Sequence, residues 1–438
     1  MPNLFRRAST FDYGWVIVAT GTLTVFASLG LGRFALGMIL PSMGAALRLS
    51  YAQLGWVGTA NFMGYLGAVL VARPLAARLG SRVLVAAALL VVGASMLLMS
   101  RASGYPALVA LYCVTGFGSG ASNVPVMALV ARWFEPARRG RAAGFVAIGS
   151  GFAIVASGRL IPTVNRVVGA DGWRTSWMLL GLVVTTVAVI ALAFLRDAPP
   201  AAASGALGGP PAAPPPGSAL RSRAVWVLGV LYAVFGFTYA IYVTFIVTML
   251  VREKGFSEAV AGQFWSWVGL LSLLSGPVFG TLSDRLGRRR GLVLVFAVQA
   301  VAYVLAGADL PTAFLYLSIG AFGVAAWSIP TIMIAAVSDY VGADRALGAF
   351  GVITFFFGVG QITGPALAGT LAQRAGSFSS SFLLAAALAG AAIVVSGLLP
   401  RPHLHPIADR PAGAPSPQPR SAGRWTGDKP TPTPAGEP

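Results

Sequence analysis

Twelve long apolar runs, separated by short charged segments, extend through this sequence from end to end. Ten of them contain no Asp, Glu, Lys, Arg or His, and two contain one arginine each. The runs are 14–40, 51–72, 83–100, 105–131, 142–163, 175–195, 224–251, 259–283, 291–308, 310–338, 346–373 and 375–400. Each has at least 18 residues, and a bilayer-crossing helix needs roughly 20. Because backbone groups in lipid must pair internally and no alternating strand pattern appears, the runs predict twelve transmembrane helices.

Composition agrees with a lipid-facing surface. Of 438 residues, 56% are apolar and 10% are charged, which is too little polar sequence to cover a soluble globule of this size. The net charge of +18 comes largely from 31 basic residues, of which 22 lie in one set of alternate loops and seven in the other. Positive charge marks the cytoplasmic side. We therefore expect a multi-pass protein of the cell inner (plasma) membrane with both termini in the cytoplasm, and no nucleic-acid partner.

The sequence offers little material for catalysis. A single cysteine, Cys113, excludes an internal disulfide and a cysteine-based metal site. Both histidines lie in the C-terminal tail, and no carboxylate lies inside an apolar run. No Gly-Lys-Ser/Thr nucleotide loop occurs either. We expect no enzyme activity, no cofactor and no metal; the expected partners are the lipid bilayer and a small-molecule substrate, and the expected state is a monomer.

The two halves of the chain repeat. Gly118 recurs as Gly323 at an offset of 205, and the Arg-Leu-Gly triplet 78–80 recurs at 285–287 at an offset of 207. Two landmarks with nearly equal offsets indicate a duplication, which in transporters commonly places the substrate site between the repeats. The predicted all-α organisation is a six-helix bundle over 1–195, a Pro/Gly/Ala-rich cytoplasmic linker over 196–223, a second six-helix bundle over 224–400 and a disordered cytoplasmic tail over 401–438.

The loop after the eighth run carries a recognisable motif, Gly280-Thr-Leu-Ser-Asp284-Arg285-Leu-Gly287-Arg288-Arg289-Arg290. It resembles, almost position for position, the cytoplasmic loop signature of the major facilitator superfamily of transporters. Glycines permit a tight turn there, and the carboxylate and arginines pair with each other or cap helix ends. Charge bias alone accounts for the arginines but not for the glycines and the carboxylate. The resemblance implies a major facilitator fold of two pseudo-symmetric bundles and a gating role for Gly280, Asp284, Arg285, Gly287, Arg288 and Arg289.

The equivalent loop of the first half departs from this signature. Arg73 and Ala77 stand where the signature has Gly and Asp, although the Arg-Leu-Gly triplet is kept. The gating residues are therefore transferred to the second half only.

Three further segments look like the monocarboxylate-transporter and oxalate–formate-antiporter branch of that superfamily. They are Phe-Asp-Tyr-Gly-Trp at 11–15, Arg-Trp-Phe at 132–134 and Arg-Arg-Gly-Arg-Ala-Ala-Gly at 138–144. The resemblance implies a carrier of organic anions. In that branch a basic residue of the eighth helix holds the anion, with another in the eleventh helix in the oxalate group, whereas both runs here lack Arg and Lys. Asp12, in the first segment, is a candidate for ion coupling.

Two arginines, Arg33 and Arg159, lie inside predicted helices with no acid at membrane depth to pair with. An intramembrane arginine costs several kcal/mol unless it is hydrated or paired, so an anionic substrate would supply the missing partner. Counted from the middle of their runs, Arg33 lies about 9 Å and Arg159 about 10 Å outside the midplane. We predict that the two guanidinium groups clamp an organic anion. The alternative is snorkelling to the outer headgroups.

An aromatic stripe in the seventh run is predicted to face the arginines. Tyr232, Phe235, Tyr239 and Tyr242 stand three or four residues apart, which keeps them on one helical face. The remaining predicted substrate contacts are Tyr239, Tyr242, Asn61, Asn123 and Gln361. Helix packing explains such a stripe without a substrate, and hydrogen bonds between helices explain each amide equally well.

The leading hypothesis is a secondary carrier of a small organic anion that works by rocking of the two halves, that is, by alternating access. One alternative is an efflux carrier of amphipathic compounds, in which the aromatic wall binds and the arginines are incidental. Another is a transport-inactive membrane sensor on the same fold, with the tail as its output segment. Import, export and the coupling ion stay open.

Overall fold

A computed structural model describes residues 13–197 and 222–399, and nearly all of them are helical. The helices are, in chain order, α1 Tyr13–Ala46, α2 Tyr51–Leu79, α3 Ser81–Met99, α4 Tyr105–Trp133, α5 Pro136–Val168, α6 Gly172–Phe194, α7 Arg223–Arg252, α8 Glu258–Leu286, α9 Arg288–Gly307, α10 Ala313–Val341, α11 Ala343–Ala375 and α12 Ser379–Gly397. Within the described ranges, eleven segments are long and apolar enough to cross a membrane, and one, Arg138–Phe194, holds both α5 and α6. The prediction of twelve membrane-crossing helices is therefore confirmed.

Helices α2 and α8 show the internal repeat in their caps. Ser50 caps the start of α2 by accepting from Gln53 N at 3.3 Å, and Ser257 caps the start of α8 by accepting from Val260 N at the same distance. At the other end, both helices stop at a glycine in the left-handed region, Gly80 with φ +78° and Gly287 with φ +87°. A side chain is strained at such φ values, so the glycine of the repeated triplet sets the turn into the next helix.

The first six helices pack on one another, and so do the last six. Within the first set α4 packs on α2 and α3, and α3 packs on α6; within the second set α11 packs on α7, and α9 packs on α12 and α10. Among the described residues, the most extensive packing between the sets joins α2 with α11, α5 with α8, and α1 with α7. The space between the sets is therefore bounded by helices from both.

Two helices are interrupted where the sequence predicts continuous ones. Helix α1 is π-helical over Phe26–Phe34, and α10 stops at Ala325 and resumes at Ser328. Widened or broken helical turns leave backbone groups free and redirect side chains, and they recur at functional sites. Both interruptions carry residues that line the central cavity.

The two sets of helices meet tightly at the end where α2 and α8 begin, here called the closed end. A Cβ atom on Gly369 of α11 would lie 2.5 Å from the Tyr51 carbonyl oxygen and 2.9 Å from Gly55 Cα of α2. Only residues without side chains allow such an approach.

Hydrogen bonds between the sets seal the closed end. Asn165 Nδ2 of α5 donates to Glu258 Oε2 of α8 at 2.6 Å. The guanidinium of Arg252, at the end of α7, donates to the Pro41 carbonyl of α1 at 2.9 Å. These bonds span the interface, so separation of the halves at this end must break them.

The opposite end, where α5 begins, is called the open end. The first turns of α5 carry Gly140, Arg141 and Gly144, which are exposed. A Cβ atom on either glycine would meet no atom of another described helix within 4 Å, counting only the residues that the structure describes. The halves are thus in contact at one end and apart at the other.

Some sequence predictions fall on residues beyond the described ranges. Asp12, residues 198–221 of the linker and the tail 401–438 lie outside them. The proposed domain bounds accordingly stay a prediction.

Candidate functional site

A cavity of about 650 Å³ lies between the two halves. Four helices of each half line it, α1, α2, α4 and α5 from the first and α7, α8, α10 and α11 from the second. It extends from Arg33 to Gly140 and Arg141 at the open end. This size is typical of small-molecule sites. Four of the predicted contacts line it: Arg33, Asn123, Tyr239 and Gln361.

Arg33 is the buried cation of the cavity, since it is 9% exposed. Its Nε donates to Asn61 Oδ1 at 3.2 Å, and its guanidinium carbon lies 4.9 Å from the Phe62 ring centroid and 4.3 Å from that of Tyr65. Its Nη2 is buried without a hydrogen-bond partner, and no carboxylate of the described residues forms an ion pair with it. A charged donor in this condition is suited to bind an anion.

Asn61 holds Arg33 in place rather than lining the main cavity. It is 1% exposed, and its Nδ2 lies 3.4 Å from the carbonyl oxygens of Gly32 and Tyr112. The Tyr112 hydroxyl donates to the Arg33 carbonyl at 2.9 Å. Side chains of α2 and α4 therefore bond to the carbonyl oxygens of Gly32 and Arg33 in the π-helical segment of α1. These bonds hold the segment in place and satisfy its backbone acceptors.

Asn123 and Gln361 contribute amides to the cavity from opposite halves. Asn123 Nδ2 donates to the Tyr65 hydroxyl at 3.0 Å, while Asn123 Oδ1 is buried without a partner among the described residues. Gln361 of α11 is 2% exposed and lines the cavity. The site thus contains a free acceptor as well as the free donor of Arg33.

The structure does not bring Arg159 to Arg33. Gly158 packs against α8, where its Cβ would meet Ser266 Oγ at 2.5 Å. The next residue along a helix is turned by about 100°, so Arg159 is exposed and is absent from the cavity lining. The predicted two-arginine clamp is not formed in this conformation.

Tyr242 also lies away from the cavity. Its ring stacks on Phe322 with centroids 3.8 Å apart, and its hydroxyl is 2.9 Å from Ser318 Oγ. It is fully buried among α7 and α10. The predicted stripe therefore divides, with Tyr232 and Tyr239 facing the cavity and Tyr242 serving helix packing.

Several lining residues were not predicted from the sequence. The aromatic side chains Tyr65, Trp327 and Phe357 line the cavity beside Tyr239. Trp327 lies 5.3 Å from the Tyr239 ring and occupies the interruption of α10. Pro330, three residues later, is the only sequence signal for that interruption, and prolines inside membrane helices are too common to identify one.

The described cavity lining carries positive charge. Its two cations are Arg33 at the deep end and Arg141 at the open end, and no acid is among the described lining residues. Arg141 is exposed, and its guanidinium carbon lies 6.0 Å from the Trp15 ring. Like charges along a low-dielectric passage raise the local concentration of anions.

The loop signature lies at the open end of the second half. Arg288 Nε bonds Asp339 Oδ2 at the end of α10 at 2.7 Å, and Arg288 Nη1 pairs with Asp284 of α8. Arg285 and Arg289 are exposed, and a Cβ atom on Gly280 would lie 3.2 Å from Thr331. Arg288 therefore ties α8, α9 and α10 together.

In the first half an acid from outside the loop contacts the turn between α2 and α3. Asp197, which follows α6, accepts from the backbone N–H of Arg82 at 2.9 Å in the first turn of α3. Its other carboxylate oxygen lies where a Cβ atom on Gly80 would come within 2.9 Å. A carboxylate at a helix N-terminus is stabilised by free N–H groups and the helix dipole. Asp197 thus supplies an acid beside the turn between α2 and α3.

Comparison with a family model gives a match over nearly the whole membrane part. The model is described as "Uncharacterised MFS-type transporter YbfB", and it matches residues 25–399.

Curated relatives are similar over much of the chain. The probable sulfoacetate transporter SauU of Cupriavidus necator is 25% identical over 393 residues, 83% of this chain and 89% of the relative. The hexuronate transporter of Bacillus subtilis is 25% identical over 416 residues, 89% and 95% of the two chains. The oxalate:formate antiporter of Oxalobacter formigenes is 27% identical over 210 residues, 47% and 48%. The predicted resemblance to the oxalate–formate branch is therefore confirmed.

Solved structures share the fold. A bacterial homologue of the human lysosomal transporter Spinster, in an inward-facing and unoccupied conformation, superposes with a TM-score of 0.69 at 15% identity, covering 88% of this chain and 95% of the other. At this identity the likeness shows the fold alone. The predicted two-bundle major facilitator fold is confirmed by it.

Proposed function

Because this chain belongs to the MFS-type transporter family, we propose that it is a secondary carrier of a small organic anion, such as a carboxylate, that binds at Arg33. Membership makes it a multi-pass membrane transporter, not an enzyme, as the sequence predicts. One observation carries the anion: Arg33 is buried between the halves without an acidic partner among the described residues. Relatives named for sulfoacetate, hexuronate and oxalate support the same chemical class.

Alternating access follows from the two unequal ends. In the present conformation the anion enters at the open end, passes Arg141 and reaches Arg33, while the bonds at the closed end block the other exit. When the anion neutralises Arg33, the free-energy cost of removing water from around that charge falls, so the cavity can lose its water and close. The halves then rock about the loaded site, so that the open end closes and the closed end opens.

Counterflow in proteoliposomes tests the carrier. Purified protein is reconstituted with a high internal concentration of one unlabelled anion, and entry of the same labelled anion is followed with no ion gradient present. Acetate, lactate, phenylacetate, oxalate, glucuronate, nitrate and tetraphenylphosphonium form the panel. We expect transient accumulation of at least one carboxylate, and competition from other carboxylates but not from the lipophilic cation.

Other outcomes favour the alternatives. Counterflow of tetraphenylphosphonium without that of any anion would support efflux of amphipathic compounds. Thermal stabilisation by a carboxylate with no counterflow of any probe would support a sensor that binds without turnover.

The open end is proposed to face the cytoplasm, because the basic loops lie on that side. In a Cys113→Ala background, a cysteine at Ala77, near the end of α2, should react with an impermeant thiol reagent only after permeabilisation of cells. A cysteine at Ala170, between α5 and α6, should react from outside. Both positions are exposed, so failure to label reflects sidedness and not burial. The reverse pattern would invert the assignment of both ends.

A further inference from the structure

A row of aromatic rings leads away from the buried guanidinium along one wall of the cavity. The Phe34 ring, next to it in the chain, lies 5.5 Å from Trp327, and the Tyr239 ring lies 5.3 Å from Trp327 on the same wall. Farther along, Phe357 stacks on Tyr232 at 4.5 Å. All five rings line the cavity. The surface beside the cation is therefore built from the faces and edges of aromatic rings, which pack well on another flat ring.

Trp327 is held in this wall by the interruption of α10. Its backbone N–H donates to Ser275 Oγ of α8 at 2.9 Å. The Ser275 and Ser328 hydroxyl oxygens are 2.8 Å apart. The indole N–H of Trp327 is buried without a partner among the described residues. A discontinuous helix at the repeat interface is a recurrent way of building a transporter site. The fold thus places a large flat ring, with a free donor, in the cavity wall near Arg33.

The cavity provides one desolvated positive charge. Arg33 is 9% exposed, whereas Arg141 lies exposed at the open end. A second carboxylate on the substrate would leave water for an aromatic wall, where the described lining residues include no further buried cation to pair with it, and this transfer is strongly unfavourable. The charge balance therefore matches a monoanion.

We propose that the substrate is an aromatic monocarboxylate, whose carboxylate meets Arg33 and whose ring packs on Trp327 and Tyr239. The inference rests on the proposed function, because it names the substrate class of the same cavity. Trp327 determines specificity by favouring a flat π system over a saturated body of equal charge. A volume of about 650 Å³ accommodates a ring and a short side chain, whereas a two-carbon anion fills little of it.

Calorimetric binding to the purified full-length protein tests this class. Phenylacetate and cyclohexylacetate have the same charge and similar size and differ in planarity and π character, while malonate adds a second charge. We expect the Kd of phenylacetate to be about tenfold lower than that of cyclohexylacetate, the scale of one good aromatic contact. Malonate should bind more weakly than either.

Variants locate the preference. Trp327→Leu should raise the Kd of phenylacetate about tenfold and change that of cyclohexylacetate by less than about threefold, whereas Trp327→Phe should keep most of the preference. Trp267→Leu is the matched control, because Trp267 lies on α8 with 55% exposure and does not line the cavity. It should bind both ligands as the wild type does.

The wild-type comparison decides the matter even if a Trp327 variant fails to fold. Equal Kd values for phenylacetate and cyclohexylacetate would overturn the inference. If other organic anions bind and both of these ligands fail, the substrate class is wrong and the proposed function stands. If no organic anion binds, the proposed function itself fails.

Discussion

Replacing Arg33 with glutamine is expected to weaken binding of the transported anion about 10- to 150-fold, with normal membrane insertion. A charged hydrogen bond contributes roughly 1.5–3 kcal/mol, which corresponds to that change in Kd. Glutamine keeps a polar side chain for Asn61 but has no charge for the substrate. The measurement is the Kd of the anion identified by counterflow, on protein purified at equal abundance.

Lysine at this position separates charge from geometry. Arg33→Lys keeps the positive charge but loses the planar fork and the bond from Nε to Asn61 Oδ1, which is 3.2 Å long. An ammonium group also stacks less well on the Phe62 and Tyr65 rings. We expect affinity between those of the wild type and the glutamine variant.

The thermal stability of Arg33→Gln should not fall together with its affinity for the anion. A buried charge without an ion pair opposes folding, so Arg33→Gln should leave the thermal midpoint unchanged or raise it. Its stabilisation by added substrate should fall, because ligand stabilisation depends on the ratio of ligand concentration to Kd. A variant that merely unfolds would instead lose stability with and without substrate.

Arg159→Gln is the matched control. It removes the other arginine of an apolar run, but Arg159 is exposed and outside the cavity, so binding should stay within about twofold of the wild type. Wild-type affinity in Arg33→Gln would remove this residue from the site, and with it most of the case for an anionic substrate.

The fold could be predicted because its determinants are local. A run such as 224–251 has one outcome in a bilayer, since unpaired backbone groups are excluded from lipid. Gly80 and Gly287 could be recognised as equivalent turns from the repeated triplet alone, and both have positive φ. Helix number and loop turns therefore follow from the sequence without knowledge of packing.

Part of the cavity lining could be predicted, because the depth of a residue in the membrane follows from its position in an apolar run, whereas the rotation of its helix does not. Arg33 and Tyr239, both predicted substrate contacts, do line one cavity. Arg159 has a similar depth, but close packing of Gly158 on α8 turns it away. Which face of α5 meets α8 depends on small residues of both helices together, and a single run does not contain that information.

One of the missed residues, Trp327, depends on a departure from regular helix geometry, whereas Tyr65 and Phe357 lie on uninterrupted helices. The π-helical turns at Phe26–Phe34 and the interruption before Ser328 change which side chains point inward. Regular periodicity cannot represent either departure. Trp327 reaches the cavity wall because Ser275 of another helix accepts from its backbone N–H, a contact between residues 52 positions apart in the chain.

Replacing Gly369 with valine is expected to reduce transport by at least tenfold. It should also shift the protein towards a conformation in which the halves separate at the end that is closed here. A Cβ atom there would lie 2.5 Å from the Tyr51 carbonyl oxygen and 2.9 Å from Gly55 Cα. Both obstacles are backbone atoms, so they cannot rotate aside, and α2 and α11 must separate. Overpacking of this kind costs about 1–3 kcal/mol, which shifts a two-state equilibrium by roughly 5- to 150-fold.

Accessibility of the cavity reports the shift. In a Cys113→Ala background, a cysteine at Met127, which lines the cavity, should react with an impermeant thiol reagent mainly from the open end in the parent protein. In the Gly369→Val variant it should react from the closed end as well. Gly351→Val is the control, because Gly351 lies on the same helix and a Cβ atom there would have no neighbour within 4 Å among the described part of the chain.

Both variants replace a glycine of α11 with valine, so the change in intrinsic helix propensity is the same in each. Any difference in transport or labelling between the two variants therefore reports the contact with α2 and not the helix itself. If Gly369→Val were only less stable, both the labelling and the amount of folded protein would fall, with no change in the side from which the reagent acts. A conformational shift instead preserves the total labelling and redistributes it between the two sides. Equal transport and equal sidedness in the two variants would mean that close approach of α2 and α11 is not required to seal this end, and that the hydrogen bonds of Glu258 and Arg252 seal it without the glycines.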